Sequence, residues 1–243
     1  MAAGIHTACI VQARIGSTRL PGKVLAPLGN APVLHHVLRR CQLIAGVDEV
    51  VCATVEGKDG DKVAELARGL GITVFRGSET DVLARYCGAA HAVGADIIMR
   101  VTSDCPLIDP EICGDVLHLR EDQNADYATN NMPPSWPHGL DCEAFTIAAL
   151  DEAAETANEP ADREHVTPWI RRNRAFRRVN LPDSGGEFSD QRWTLDYPED
   201  LAFLRALDDR VALTEPYPGW RDIARLVARE PELALINEGR KQR

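Results

Sequence analysis

The stretch Gln12-Ala-Arg-Ile-Gly-Ser-Thr-Arg-Leu-Pro-Gly-Lys-Val-Leu25 places three cations, Arg14, Arg19 and Lys23, within ten residues, beside Gly16, Gly22, Ser17 and Thr18. Glycines permit tight turns, and hydroxyls and backbone N–H groups can wrap an anion, so the chemistry on offer is a grip on a chain of phosphates. The pattern is not a Walker A loop. Five residues instead of four separate Gly16 from Gly22, and Val24 stands where the magnesium-binding Ser or Thr belongs. There is no G-x-G-x-x-G either, so a P-loop ATPase and a dinucleotide oxidoreductase are both disfavoured. Two carboxylates stand out further along. Asp104, in Arg100-Val-Thr-Ser-Asp-Cys-Pro-Leu-Ile-Asp109, reads either as a turn residue before Pro106 or as a holder of Mg²⁺ against phosphate oxygens. Asp196, in Arg192-Trp-Thr-Leu-Asp-Tyr-Pro-Glu-Asp-Leu201, reads alone as an ordinary helix cap, and together with Asp104 as the second carboxylate of one metal site.

The elements around these residues give them a common edge. Ala8–Ala13 is a short apolar run expected to be a buried strand, and the cationic loop begins where it ends. Strands are expected at Glu49–Thr54, Ile72–Phe75 and Ile97–Val101, alternating with helices at Pro32–Ile44, Asp59–Leu70, Glu79–Val93 and Asp109–Leu119. That alternation indicates βαβ units and a parallel sheet, whose ligands sit beyond the carboxyl ends of the strands. Past residue 125 the pattern loosens. Short strands are expected at Asp126–Thr129, Cys142–Phe145, 176–181 and 192–195, and helices at 146–157, 162–173, 198–209 and 219–229. No linker or repeat divides the chain, which reads as one domain over 1–243 with an elaborated second half at about 126–190.

Composition narrows the classes. The chain has 243 residues, 44% hydrophobic, with a formal net charge of −10. A disordered chain is excluded, and a general nucleic-acid binder is disfavoured for want of a broad basic surface. No stretch approaches the length of a membrane span, and the N-terminus lacks the pattern of a signal peptide, so a cytoplasmic location is expected. Residues 1–47 carry Arg14, Arg19, Lys23, Arg39 and Arg40 but no acid, so all 37 acids lie beyond them. A small positive pocket on an acidic body suits capture of a compact anion. Seven cysteines without metal-ligand spacing suggest reduced thiols and neither a zinc site nor a disulfide framework. Packing explains Trp169, Trp193 and Trp220, while Trp136, in a Pro-rich loop, is a candidate lid or contact with a second copy.

These motifs, with His138-Gly-Leu-Asp-Cys-Glu-Ala-Phe145 and Arg163-Glu-His-Val-Thr-Pro168, resemble the cytidylyltransferases that activate acidic sugars. The likeness runs from about 8 to 208. It is strongest to the spore-coat polysaccharide biosynthesis protein F group, with the acylneuraminate and 3-deoxy-manno-octulosonate enzymes more distant. It implies a Rossmann-like mixed, mainly parallel sheet of the nucleotide-diphospho-sugar transferase type, CTP and an acidic sugar as substrates, Mg²⁺ as cofactor, and a homodimer built partly through the second half. The reaction implied is transfer of CMP to a hydroxyl of an ulosonic-type sugar with release of pyrophosphate. The alternatives are a glycosyltransferase of the same fold and a non-catalytic nucleotide-binding regulator. By the same resemblance, Arg14, Lys23, Asp104 and Asp196 are catalytic, and Asp104 and Asp196 hold the metal. Gln12, Ala13, Arg14, Gly16, Ser17, Thr18, Arg19, Lys23 and Ser103 meet the nucleotide. Arg100, His138, Gly139, Asp141, Glu143, Glu164 and His165 fall on the sugar side. Ser103-Asp-Cys105 departs from the Gln-Gly-Asp-Glu run of the octulosonate enzymes, which leaves the sugar open. Arg100, Arg163, Arg171 and Arg172 are the candidates to meet its carboxylate.

Overall fold

A computed structural model describes residues 4–182 and 186–240. Residues 1–3, 183–185 and 241–243, which the single-domain expectation includes, lie outside the described residues. In chain order the strands are β1 (Thr7–Gln12), β2 (Pro27–Leu28), β3 (Ala31–Pro32), β4 (Glu49–Val55), β5 (Thr73–Gly77), β6 (Ile97–Thr102), β7 (Tyr127–Thr129), β8 (Glu143–Thr146) and β9 (Arg178–Asn180). β2 and β3 form a small hairpin, and the other seven make one sheet in the order β5-β4-β1-β6-β8-β7-β9. β5, β4, β1 and β6 are mutually parallel, and β8 runs antiparallel to both its neighbours. The expected Rossmann-like mixed, mainly parallel sheet is therefore present.

β1 lies at the centre because its apolar residues face covering layers on both sides. Cys9 and Val11 pack into one buried cluster, and Ala8 and Ile10 into the other. This is the period-two alternation of a strand covered on both faces. Helices Val33–Cys41, Pro110–Asp122, Pro198–Asp208 and Trp220–Arg229 contribute to the first cluster, and Val82–Val93 and Ile147–Thr156 to the second. Asp109 caps its helix by accepting from Glu111 N (2.9 Å), and Asp81 caps Val82–Val93 by accepting from Ala84 N (2.9 Å).

Two expected elements differ. The helix expected over 162–173 is two helices, Pro160–His165 and Pro168–Arg172. Between them Val166 takes φ 70°, and Thr167 precedes a proline, a position that disfavours helical backbone. The strand expected at 192–195 joins no sheet. Arg192 makes one bridge to His138, and Leu195 N donates to Asp104 O (2.8 Å), so the segment ties two loops together. Trp136, the candidate lid or contact with a second copy, is 5% exposed and meets Trp220 edge-on at 5.1 Å, so its ring is held by packing within the chain. No helix among the described residues is long and apolar enough to cross a membrane.

Candidate active site

The loop after β1 turns back at Gly22, whose N–H donates to Ile15 O (3.1 Å) and whose φ of 73° suits glycine. That turn aims Lys23 across the sheet edge. Its Nζ donates to Asp104 Oδ2 (2.8 Å), Asp196 Oδ1 (2.9 Å) and Leu195 O (2.9 Å), bringing together three of the four residues expected to be catalytic. Asp104 follows β6, which pairs with β1 in parallel up to Gln12 opposite Thr102, so both loops leave the same edge. Thr102 Oγ1 donates to Asp104 Oδ1 (2.6 Å). Burial works against the ammonium of Lys23, but the two carboxylates outweigh it and hold the lysine above its ordinary value. Burial likewise opposes ionisation of Asp104 and Asp196, yet Lys23 keeps both below the usual carboxylate range.

Asp196 is held by a buried arrangement that sequence reading passed over. Arg192 donates to Asp196 Oδ2 (3.2 Å) and grips Asp200 with two nitrogens, at 2.8 Å each. Asp200 in turn accepts from Asp196 N (2.8 Å), Tyr197 N (2.9 Å) and Asn237 Nδ2 (3.0 Å). Asp200 lies within the Arg192–Leu201 motif, in the first turn of helix Pro198–Asp208. Nothing local marks Asn237.

Two cavities meet at the carboxylates. One, about 640 Å³, is lined by Gln12, Ala13, Arg14, Gly16, Ser17, Thr18, Arg19, Lys23 and Ser103, the whole expected nucleotide set. The other, about 730 Å³, is lined by Arg100, His138, Asp141 and Glu143 of the expected sugar set, and also by Arg171. Arg100, Thr102, Asp104 and Asp196 line both. A further cavity of about 640 Å³, lined by Thr7, Asp48, Ile97, Glu111, Asp115 and Glu121 among others, opens at the opposite ends of β1 and β6. It lies away from the carboxyl ends of the strands, where such sheets bind ligands.

Three expected sugar-side residues sit otherwise. Glu164 and His165 line the first cavity, where their short helix is tied to the start of helix Val82–Val93 by Arg163, which grips Asp81 through Nε (3.0 and 3.1 Å) and Nη2 (2.5 Å). Gly139 lines neither cavity. With φ 117°, it lies so close to the chain opposite that a Cβ would stand 2.6 Å from Thr194 N. Glu143 is present but fully engaged: Arg100 pairs with one oxygen, while Tyr127 Oη (2.5 Å) and Thr167 Oγ1 (2.7 Å) donate to the other. Burial opposes its charge, but Arg100 and these hydroxyls hold it below the usual range, so it anchors the cavity floor. Asp141 goes the other way. Burial raises it, although His138 and the N–H of Gly139 favour its charge.

The basic N-terminal segment is only partly a site feature. Arg40 is 1% exposed and donates to Pro218 O (3.1 Å), and Arg39 donates to Gln42 (3.0 Å). Neither lines either of the two cavities that meet at the carboxylates.

The two carboxylates suit a divalent cation. Asp104 and Asp196 converge on one ammonium through hard oxygen donors, and Mg²⁺ is commonly held by one or two carboxylates plus substrate phosphates.

A family model described as cytidylyltransferase matches residues 8–213. The spore coat polysaccharide biosynthesis protein SpsF of Bacillus subtilis is 33% identical, over 94% of this chain and 97% of that protein. A 3-deoxy-manno-octulosonate cytidylyltransferase of Geobacter sulfurreducens is 37% identical over 46% of this chain and 44% of its own. Among solved structures, a cytidylyltransferase from Leptospira borgpetersenii superposes with a TM-score of 0.89 at 31% identity, covering 95% of this chain and 97% of that one.

Proposed function

This chain belongs to the cytidylyltransferase family, and from that premise we propose that it moves CMP from CTP to a hydroxyl of an acidic, ulosonic-type sugar and releases pyrophosphate, with Mg²⁺ as its cofactor. The observation that carries the reading is the junction of the two cavities at Asp104 and Asp196. A triphosphate in the loop cavity would present its α-phosphorus there, to a hydroxyl arriving from the other side. The attack is in line, and the protein's part is alignment and charge neutralisation. Asp104 and Asp196 are the residues that would hold Mg²⁺, which supplies a positive centre for the phosphate oxygens. Lys23 and Arg14 take up charge as it develops on the departing pyrophosphate. Asp141 and His138 line the second cavity, from which the attacking hydroxyl would arrive.

The acidic group of the sugar finds a partner in Arg171. Of the four candidate arginines, Arg100 is paired with Glu143, Arg163 with Asp81 and Arg172 with Asp162. Arg171 lines the second cavity and donates to Asn131 Oδ1 (3.1 Å) and O (3.4 Å), with no carboxylate within ion-pair distance among the described residues. The octulosonate enzyme among the relatives is named for an acidic sugar, which supports the same substrate class. Pyrophosphate release, measured with Mg²⁺, each of four nucleoside triphosphates and a panel of acidic and neutral sugars, tests the reading. Release is expected with CTP and an acidic sugar. Turnover of neutral sugars alone would refute the acidic substrate, and absence of any CTP binding would refute the nucleotide site.

A further inference from the structure

Five strong cations line the nucleotide cavity: Arg14, Arg19, Lys23, Arg85 and Arg100. Three already face a carboxylate. Lys23 contacts Asp104 and Asp196, Arg19 lies 3.6 Å from Asp196, and Arg100 is paired with Glu143. Arg14 and Arg85 have no carboxylate within ion-pair distance among the described residues. Glu79 and Glu164, the other acids of the cavity, are exposed and pair with neither.

Arg14 is exposed, as a loop cation is expected to be, but Arg85 is 2% exposed. It projects from helix Val82–Val93, donates through one terminal nitrogen to Ser78 O, and its Nε has no hydrogen-bond partner. Its stem is closely fitted, since a Cβ on Gly77 would stand 3.2 Å from Arg85 Cγ. Burial pulls this guanidinium below its ordinary value, the charge of Arg14 adds to that pull, and Tyr86 and the more distant Glu79 only partly oppose it. A buried, unpaired charge is costly, and packing alone would be better served by Met or Leu in the same space. An incoming anion would remove the cost.

We propose that Arg85 is a binding residue for the triphosphate of CTP, forming with Arg14 an anion subsite that is open before Lys23 and Arg19 leave their carboxylates. The proposal rests on the nucleotide reading given above. An arginine suits the role, because its planar fork meets phosphate oxygens with two donors and stays charged where a lysine would lose its proton.

Titration calorimetry with pyrophosphate, CTP and cytidine, each with Mg²⁺, together with thermal unfolding, tests Arg85→Met and Arg85→Lys. Arg85→Met is expected to unfold at the same temperature as the parent or higher when unliganded. It should lose at least about tenfold in affinity for pyrophosphate and CTP, keep its affinity for cytidine, and lose most of the CTP-induced rise in Tm; Arg85→Lys should recover part of each loss. Parental pyrophosphate and CTP affinity in a variant with lowered Tm would make Arg85 a packing residue and overturn the proposal. Loss of cytidine with pyrophosphate retained would make it a base contact and overturn it equally. If Arg85→Met does not fold, Arg85→Gln is read by the same criteria. A parent protein that bound neither pyrophosphate nor CTP would overturn the nucleotide site itself, a failure separate from that of the variant.

Discussion

Replacing Lys23 by Met should move metal binding and catalysis in opposite directions. Lys23 Nζ lies 2.8 Å from Asp104 Oδ2 and 2.9 Å from Asp196 Oδ1, while a magnesium ion takes its oxygens at about 2.1 Å. Ammonium and ion cannot hold the same pair of oxygens from the same side, so the lysine must withdraw for the ion to enter. Even at a separation of about 5 Å, a single and a double positive charge repel by about 7 kcal/mol at an effective dielectric of ~20. The flexible lysine stem relieves much of that, so the expected gain is a fraction of it: at least ~1.4 kcal/mol, or tenfold, in the affinity of the nucleotide-free protein for Mn²⁺. Titration followed by electron paramagnetic resonance reads this directly. In the same variant, kcat should fall by about 10²–10³, the loss seen when one charge-stabilising donor is removed. Stability supplies an independent check. Asp104 and Asp196 are held below their ordinary values, so their contribution is present above about pH 4 and lost as pH falls through the folded values. Lys23 is held above its ordinary 10.5, so its contribution is complete below that pH and lost above it. The variant should therefore be less stable than the parent between these limits, and the gap should close in acid. Unchanged or weaker Mn²⁺ binding would refute the carboxylate pair as the metal site, and an unchanged rate would remove Lys23 from the transition state.

Other perturbations probe the supports. Glu143→Gln leaves the Arg100 guanidinium buried without its counter-ion, at a cost of about 3–5 kcal/mol, or roughly 6–20 °C in Tm. Because Glu143 is held below the usual range, its contribution is present above about pH 4.5 and lost as pH falls, so the difference in Tm should shrink in acid. A constant difference from pH 3 to 8 would count against the pair. Arg171→Ala should raise KM for the sugar by about 10–100-fold, the worth of one charge-assisted hydrogen bond, while KM for CTP stays within about twofold; an equal change in both would deny it a sugar-side role. Gly139→Ala forces a side chain into φ 117° and against the backbone of Trp193 and Thr194, so a loss of at least ~2 kcal/mol is expected in denaturant unfolding. A loss below ~0.5 kcal/mol would mean the close approach is not needed.

The grouping of the Arg14–Lys23 loop with Asp104 was legible because its signals are local. An apolar run, a glycine-punctuated cationic loop and a carboxylate directly after the next strand are each set by neighbours in sequence, and the parallel pairing of β1 with β6 brings them to one edge. The acceptor half was only partly legible. Its residues are joined by contacts at long range, such as Asn237 with Asp200 and Thr167 with Glu143, and no periodicity marks them. Glu164 and His165 line the other cavity from the rest of the expected sugar set, next to the break at Val166 and the grip of Arg163 on Asp81, neither of which periodicity marks. Arg85 was missed because, inside Val82-Leu-Ala-Arg-Tyr-Cys87, it reads as one polar residue on a helix. Only the fold shows that its end is buried, without an acid, in a cavity suited to an anion.

The reversed strand explains how two cavities come to meet at one pair of carboxylates. β1 and β6 end at the edge where their loops carry Lys23 and Asp104. A fifth strand in the same direction would have brought its carboxyl end there as well, followed by another loop. β8 instead starts at that edge, so the approach to it, His138 to Cys142, lies beside the end of β6 and Glu143 sits opposite Arg100. The segment from Arg192 to Leu195 then crosses between these loops, bonding to His138 on one side and Asp104 on the other, and delivers Asp196. The fold thus places the two cavities directly against each other, with Lys23 bridging the two carboxylates at their junction. On the proposed reaction, that placement would leave a short reach between hydroxyl and α-phosphorus, and alignment of this kind would account for much of the acceleration of a transfer with no covalent intermediate.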